Sequence, residues 1–309
     1  MNAQQRLVVV LGPTASGKSA LAIALAEKLG GEVVACDSTQ VYRYFNIGTG
    51  KVPAAEQRGI PHHLVDLVEP DEIFTAGEYR RRAVDVLDAI CARGKLPILT
   101  AGTGLYLRAL LEGLADAPER SEQLRERLRQ CAAGRGPDHL HRILRRLDRD
   151  SASRIEPADT QKVIRAIEIR LLSGEPASTL HRRDRGGLEG YHVIKIGLMP
   201  PRMALYGRIE QRVRAMLASG WLNEVKSLLS KGIAPTAKPF EFLGYSQLRD
   251  VLTGKMELDE AVRQIQQATR QYAKRQLTWF RKEPVVNWIE GFGDNPLIAE
   301  DAVKRVAAR

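Results

Sequence analysis

The sequence predicts an α/β fold, a P-loop parallel-sheet core with an inserted helical module. Three observations predict it. Short apolar runs alternate with segments of helical period at both ends of the chain. The first run, Leu7 to Leu11, leads directly into Gly12-Pro13-Thr14-Ala15-Ser16-Gly17-Lys18-Ser19, which has the phosphate-loop spacing G-x-x-x-x-G-K-[ST]. Between residues 115 and 190 the strand-like runs vanish while the helical period persists. This pattern places the core at 1–114 and 191–309, and the module at 115–190.

With 309 residues, the chain has room for a core domain plus an insertion. Hydrophobic residues at 44% supply a sizeable core, and no apolar run approaches the roughly 18 residues of a membrane span. Cys36, Cys91 and Cys131 are odd in number and lack C-x-x-C spacing, which implies a reducing, cytoplasmic setting without disulfides or structural zinc. Residues 1–6 leave no space for a signal peptide before the first strand. A net charge of +10 favours a polyanionic partner, although a basic protein with solvated arginine-rich helices carries the same charge.

In the loop, glycines turn backbone N–H groups toward phosphate oxygens, and the following helix adds positive potential at its N-terminus. Lys18 suits the terminal phosphates and the Ser19 hydroxyl a Mg²⁺ ion. Glu32 to Asp37 reads as a second strand. Asp37 falls at its carboxyl end, where open parallel sheets bind ligands. It fits a catalytic carboxylate, a helix cap or a magnesium-holding acid. His62 to Val68 reads as a short strand whose paired histidines lack a third ligand and are structural. Thr75 to Glu78 forms a capping box that opens a helix to about Arg93. Leu96 to Thr100 is another buried strand, followed by a glycine turn bearing Thr103 and a helix from Leu105 to Leu111.

The module shows apolar residues at helical spacing, among them Leu140, Leu144, Val163, Ile164 and Ile167, bounded by Asp116 to Pro118 and by His181 to Gly187. Gln161, Lys162 and Arg165 read as a solvated helix face. The core resumes with a strand at His192 to Leu198, and Pro200-Pro201 opens a helix with Tyr206, Ile209, Val213 and Met216 as its buried stripe. Arg208 fits either a diphosphate clamp or a surface arginine. A last long helix, Asp259 to Lys282, has Val262, Ile265, Tyr272, Trp279 and Phe280 as its core side. It aligns Arg263, Arg270, Lys274 and Arg281 within roughly 20° of one line. Arg275 and Lys282 widen a cationic ridge of roughly 30 Å that suits a nucleic-acid backbone. A final strand spans Val285 to Ile289.

These residues resemble the bacterial tRNA dimethylallyltransferase family along nearly the whole chain. The resemblance rests on Gly12 to Ser19, Asp37 to Arg43, Ile47 to Thr49, Gly102 to Tyr106, Gln161 to Glu168, Pro200 to Arg202 with Arg208, Gly244-Tyr245, and Thr269 to Arg281. The chain departs at Ser19, where Thr is common, at Ala101, where Gly is usual, and at Lys238 to Leu243.

The resemblance implies that the loop holds the pyrophosphate of dimethylallyl diphosphate, with Lys18, Arg208 and a Mg²⁺ on Ser19 stabilising its departure. It implies Asp37 as the base for the N6 amine of the adenosine 3′-adjacent to the anticodon, flipped out of the tRNA anticodon stem-loop. It further implies tRNA contacts from Asp37, Ser38, Thr39, Gln40, Thr103, Arg125, Gln161, Lys162, Val163, Ile164, Arg165, Arg270, Lys274, Arg275 and Arg281. No membrane and no obligate protein partner is expected. The competing readings are a P-loop small-molecule kinase, an adenylate isopentenyltransferase and a non-catalytic RNA-binding protein. The basic helix disfavours the first two, and the intact Lys18, Ser19 and Asp37 disfavour the third.

Overall fold

A computed structural model describes residues 4–180, 182 and 186–308. The elements run β1 (Gln5–Leu11), α1 (Lys18–Leu29), β2 (Gly31–Cys36), β3 (His62–His63), α2 (Ala76–Ala92), β4 (Leu96–Ala101), α3 (Gly104–Leu111), α4 (Glu122–Arg135), α5 (Pro137–Leu147), α6 (Arg149–Ala152), α7 (Thr160–Ser173) and α8 (Ala177–Leu180). They continue through β5 (Tyr191–Leu198), α9 (Arg202–Ala218), α10 (Trp221–Ser230), α11 (Tyr245–Leu252), α12 (Leu258–Phe280), β6 (Val286–Ile289) and α13 (Pro296–Ala307). They fall into two compact units, Met1–Leu110 with Glu189–Arg309, and Leu111–Leu188. Most of the His181 to Gly187 segment read as a boundary, namely His181, Arg183, Asp184 and Arg185, lies outside the described residues, as do Met1 to Ala3.

The larger unit is built on one six-stranded parallel sheet in the order β3-β2-β4-β1-β5-β6. Central strands covered on both faces read as unbroken apolar runs, and Leu7 to Leu11 are all fully buried. On one face Val8, Val10, Val33, Ile98, Ile194 and Ile196 pack with Leu21 and Leu25 of α1 and Ala302 and Val306 of α13. Parallel pairing brings the carboxyl ends of β1, β2, β4 and β5 to one edge, which therefore receives both the phosphate loop and Asp37. A second cluster of Phe45, Trp221, Val225, Phe240, Tyr245 and Ile265 joins α10, α11 and α12 beneath the loop that follows β2.

Three local expectations change. The strand read at His62 to Val68 shrinks to two residues, because Leu64 and Asp66 adopt positive φ values of 61° and 53°, and Val68 pairs only as an isolated bridge to Tyr42. On α9 the stripe shifts by one position to Leu205, Ile209 and Val213, leaving Tyr206 and Met216 half-buried, and Pro201 caps that helix from outside. On α12 the buried side is Ala261, Ile265, Gln266, Ala273, Gln276 and Phe280, with Val262, Tyr272 and Trp279 half-buried. The capping box at α2 forms as read, with the Glu78 N–H donating to Thr75 Oγ1 at 3.1 Å.

The smaller unit is helical. Leu140 and Leu144 of α5 pack against Val163, Ile164 and Ile167 of α7 and Leu180 of α8. Two carboxylates are buried with them. Asp148 accepts from the N–H and hydroxyl of both Ser151 and Ser178, at 2.6 to 2.9 Å. Burial pushes its carboxyl up, but these four donors outweigh burial and hold it at about 2. Glu168 is fully buried and is discussed below.

Candidate active site

Gly12 to Ser19 wraps from β1 to α1 as a cradle. Ala15 and Gly17 both take positive φ, 63° and 87°, which turns successive N–H groups to one side. Gly17 is required twice over, since a Cβ there would stand 2.8 Å from the Gly293 backbone nitrogen. Among the described residues the buried Ser16 hydroxyl has no hydrogen-bond partner. An orphaned donor inside a concave nest of N–H groups fits a phosphate oxygen.

Lys18 folds back across the loop, its ammonium donating to the carbonyls of Gly12 and Pro13 at 2.9 and 2.8 Å. Among the described residues, two of its three donors are used this way, and one is left for a phosphate. Burial lowers its pKa to about 8; the Asp37 charge opposes that shift and the Arg212 charge adds to it. Ser19, with Gln40, Lys51, Asp66 and Thr100, lines a small recess. Among the described residues no group of three His, Cys, Asp or Glu side chains could hold a metal. A single hydroxyl at the end of a phosphate cradle would suit Mg²⁺, an ion that keeps several waters and draws other ligands from substrate phosphates.

Asp37 follows the last residue of β2. Its Oδ1 accepts from the Thr39 N–H at 2.8 Å and the Thr39 hydroxyl at 2.7 Å, which fixes the carboxylate and leaves the lone pairs of Oδ2 for another partner. Oδ2 lies against Gly102, where a Cβ would stand 2.3 Å away, so only glycine allows this approach. The Cys36 carbonyl accepts the N–H groups of Gly102 and Thr103, and Thr103 Oγ1 accepts the Ser38 N–H at 2.9 Å. Ser38, Thr39, Thr103 and Asp37 therefore form one rigid corner. Gln40 donates to the carbonyls of Thr49 and Gly50, at 3.2 and 3.3 Å. The loop they belong to is tied down by Glu224, whose Oε2 accepts from Asn46 and Ile47 N–H, and by the Tyr245 hydroxyl, which donates to Glu224 Oε1 and accepts from Gly48 N–H. The departure at Lys238 to Leu243 thus leads into a supporting corner, with Phe240 fully buried.

Two arginines of α9, Arg208 and Arg212, lie near this edge with different partners. Arg208 is held by Asp294 in a two-point pair at 2.7 and 2.6 Å and lies over the Phe292 ring at 4.6 Å, so its charge is already matched. Arg212, one turn further along α9, points toward Gly50, where a Cβ would stand 2.2 Å from its Nη2. Its side chain reaches solvent, yet protein surrounds the guanidinium, and burial followed by the Arg208 charge lowers its pKa. Among the described residues no carboxylate pairs with it. The two arginines share a helix and differ only in what faces them.

The residues expected to contact RNA differ in exposure and in their present partners. Val163 and Ile164 are core residues of the smaller unit, 0% and 4% exposed, so their side chains cannot meet a partner. Arg125 clamps Glu168 through Nε and Nη2 at 2.9 and 2.8 Å, and Arg165 binds Glu168 and the Pro118 carbonyl. Gln161 and Lys162 remain exposed. The ridge on α12 is interrupted, because Arg263 pairs with Glu260 and Arg270 reaches across to Glu210 of α9 at 2.9 Å. Lys274, Arg275 and Arg281 are exposed, Arg275 lying over the Tyr272 ring.

A phosphate cradle that faces a fixed carboxylate across the carboxyl edge of a parallel sheet defines a P-loop group transferase. The IPP transferase family model matches residues 40–283. A tRNA dimethylallyltransferase of Solibacter usitatus is 52% identical over 97% of this chain and 98% of its own length. One from Koribacter versatilis is 51% identical over 96% and 97%. Among solved structures, the tRNA isopentenylpyrophosphate transferase of Bacillus halodurans superposes with a TM-score of 0.71 at 36% identity, covering 99% of this chain and 96% of that one. A eukaryotic dimethylallyltransferase acting on tRNA gives 0.82 at 28% identity, covering 98% and 77%. The chain belongs to the IPP transferase family.

Proposed function

We propose that the protein transfers the dimethylallyl group of dimethylallyl diphosphate to the N6 amine of the tRNA adenosine 3′-adjacent to the anticodon, releasing diphosphate. The observation that carries the reading is Asp37 at the same sheet edge as the phosphate cradle, with Lys18 near enough to feel the charges of both Asp37 and Arg212. The N6 lone pair attacks C1 of the donor, the C1–O bond breaks, and its electron pair leaves with the diphosphate. The loop N–H groups, Lys18 and Arg212 stabilise that charge, and Asp37 Oδ2 takes the proton released by N6. Mg²⁺, held by the Ser19 hydroxyl, supplies further neutralisation of the diphosphate when bound.

The kinase reading is weaker here, because β4, the strand beside β1, ends in Thr100-Ala101 without the carboxylate that usually helps the loop hydroxyl hold Mg²⁺ on a nucleoside triphosphate. Labelled dimethylallyl diphosphate offered with unmodified tRNA, with adenosine monophosphate, and with neither, tests the reading. Label in tRNA alone is expected; label in the mononucleotide sinks it. Asp37→Ala is expected to abolish transfer while tRNA affinity stays within about threefold, the cost of one exposed contact.

A further inference from the structure

Gln276 is a buried amide, 6% exposed, one turn before the end of α12. Its two ends are used in opposite senses. Oε1 accepts the N–H of Thr14 in the phosphate loop at 2.7 Å, and Nε2 donates to the carbonyl of Gly102 at 2.8 Å. Tyr272, one turn earlier on the same face, donates its hydroxyl to the same carbonyl at 3.3 Å, and burial together with the Asp37 charge keeps that hydroxyl protonated. Gly102 is the residue packed on Asp37 Oδ2. One side chain therefore ties the loop that would hold the leaving group to the wall behind the base.

We propose that Gln276 is a positioning residue that fixes the separation between the phosphate loop and Asp37, and through it the distance from C1 of the prenyl donor to N6 of the acceptor. The inference rests on the functional reading above. It requires an amide. A carboxylate of the same length accepts from Thr14 but sets an oxygen against the Gly102 carbonyl, and a thioether makes neither bond. Reacting atoms must stand about 3 to 3.5 Å apart, and a displacement of about 1 Å costs roughly 100-fold in rate. Neither Gln276 atom needs to touch substrate for this to hold.

The test compares Gln276→Glu and Gln276→Met with Asp37→Ala. Single-turnover prenyl transfer is measured at saturating dimethylallyl diphosphate and anticodon stem-loop RNA. Equilibrium affinities are measured for inorganic diphosphate with Mg²⁺ and for the RNA. We expect the saturated rate to fall roughly 100-fold for Glu and 10- to 30-fold for Met, with both affinities within about threefold of wild type. The thioether is the variant that keeps the packing if the carboxylate disturbs folding. If the loss lies in either affinity and the saturated rate is unchanged, Gln276 braces binding only and the proposal is overturned. It is also overturned if both Gln276 variants keep the wild-type rate while Asp37→Ala is inactive. Turnover retained by Asp37→Ala is a separate outcome, which removes Asp37 as the base, and absence of transfer by the wild-type protein removes the functional reading itself.

Discussion

Two pairs of arginines, one in each compact unit, show how differently the same residue type is used. In the helical unit Arg125 and Arg165 converge on Glu168, whose carboxylate is fully buried and also accepts the Ser121 N–H at 2.8 Å. Burial raises the Glu168 pKa, but the two guanidinium groups and the Ser121 N–H outweigh it and hold it below the usual carboxylate range. In the sheet unit Arg208 has Asp294, and Arg212, four residues on, faces the cleft with Lys18 nearby. A buried carboxylate turns an arginine into part of the fold, whereas an arginine without one keeps its charge for a ligand. The contrast is one of partners, since all four lie on ordinary helices.

The largest way to break the contrast is in the cleft. Arg212→Ala should lower single-turnover prenyl transfer about 1000-fold, the usual effect of removing one donor to developing charge. Arg208→Ala should cost tenfold or less, about 1.4 kcal/mol, because its charge is already matched by Asp294. A reversal of that order would return the diphosphate contact to Arg208.

In the other unit, Glu168→Ala leaves two guanidinium groups without their shared partner and should destabilise folding by about 3 to 5 kcal/mol. Urea unfolding measures it, and a loss below about 1 kcal/mol would mark the cluster as a surface-type pair. A smaller effect sharpens the comparison through pH. The folded Asp148 carboxyl, at about 2, lies below its unfolded value, so the folded state binds fewer protons. Its stabilisation, about 2 kcal/mol, is complete above roughly pH 4 and is lost as pH falls through about 2. Asp148→Asn should flatten acid unfolding in that window, and an unchanged pH profile would count against its hydrogen bonds.

The smallest effect concerns the remaining exposed charges of α12. Lys274→Ala and Arg281→Ala should each reduce the salt dependence of tRNA binding by about one released ion. Arg270→Ala should change it less, since Glu210 already neutralises that side chain. Equal slopes for all three would restore the continuous ridge that the sequence predicted.

Much of this was legible because local rules carried it. The loop spacing, the buried strand runs and the capping box at Thr75 are fixed by short-range geometry, and each element formed within one to three residues of its predicted ends. The strand at His62 failed because positive φ at Leu64 and Asp66 is set by surrounding contacts and has no glycine to announce it. Gln276 was hidden for a related reason. A glutamine among basic residues looks like a solvated neighbour until Thr14 and Gly102, far away in sequence, are brought to its two ends.

The sequence by itself determined the class of this protein: a parallel sheet with a phosphate loop at its carboxyl edge, a carboxylate at the next strand end, and a helical insertion. Period, spacing and glycine placement act over a few residues and so can be read along a chain. Only the tertiary structure decided which charges are available. Asp294 on Arg208, Glu168 on Arg125 and Arg165, and Glu210 on Arg270 are pairings between residues 43 to 86 positions apart, or three for Arg165. A one-dimensional charge pattern cannot show whether a cation is already paired, because pairing depends on which carboxylate the fold brings beside it.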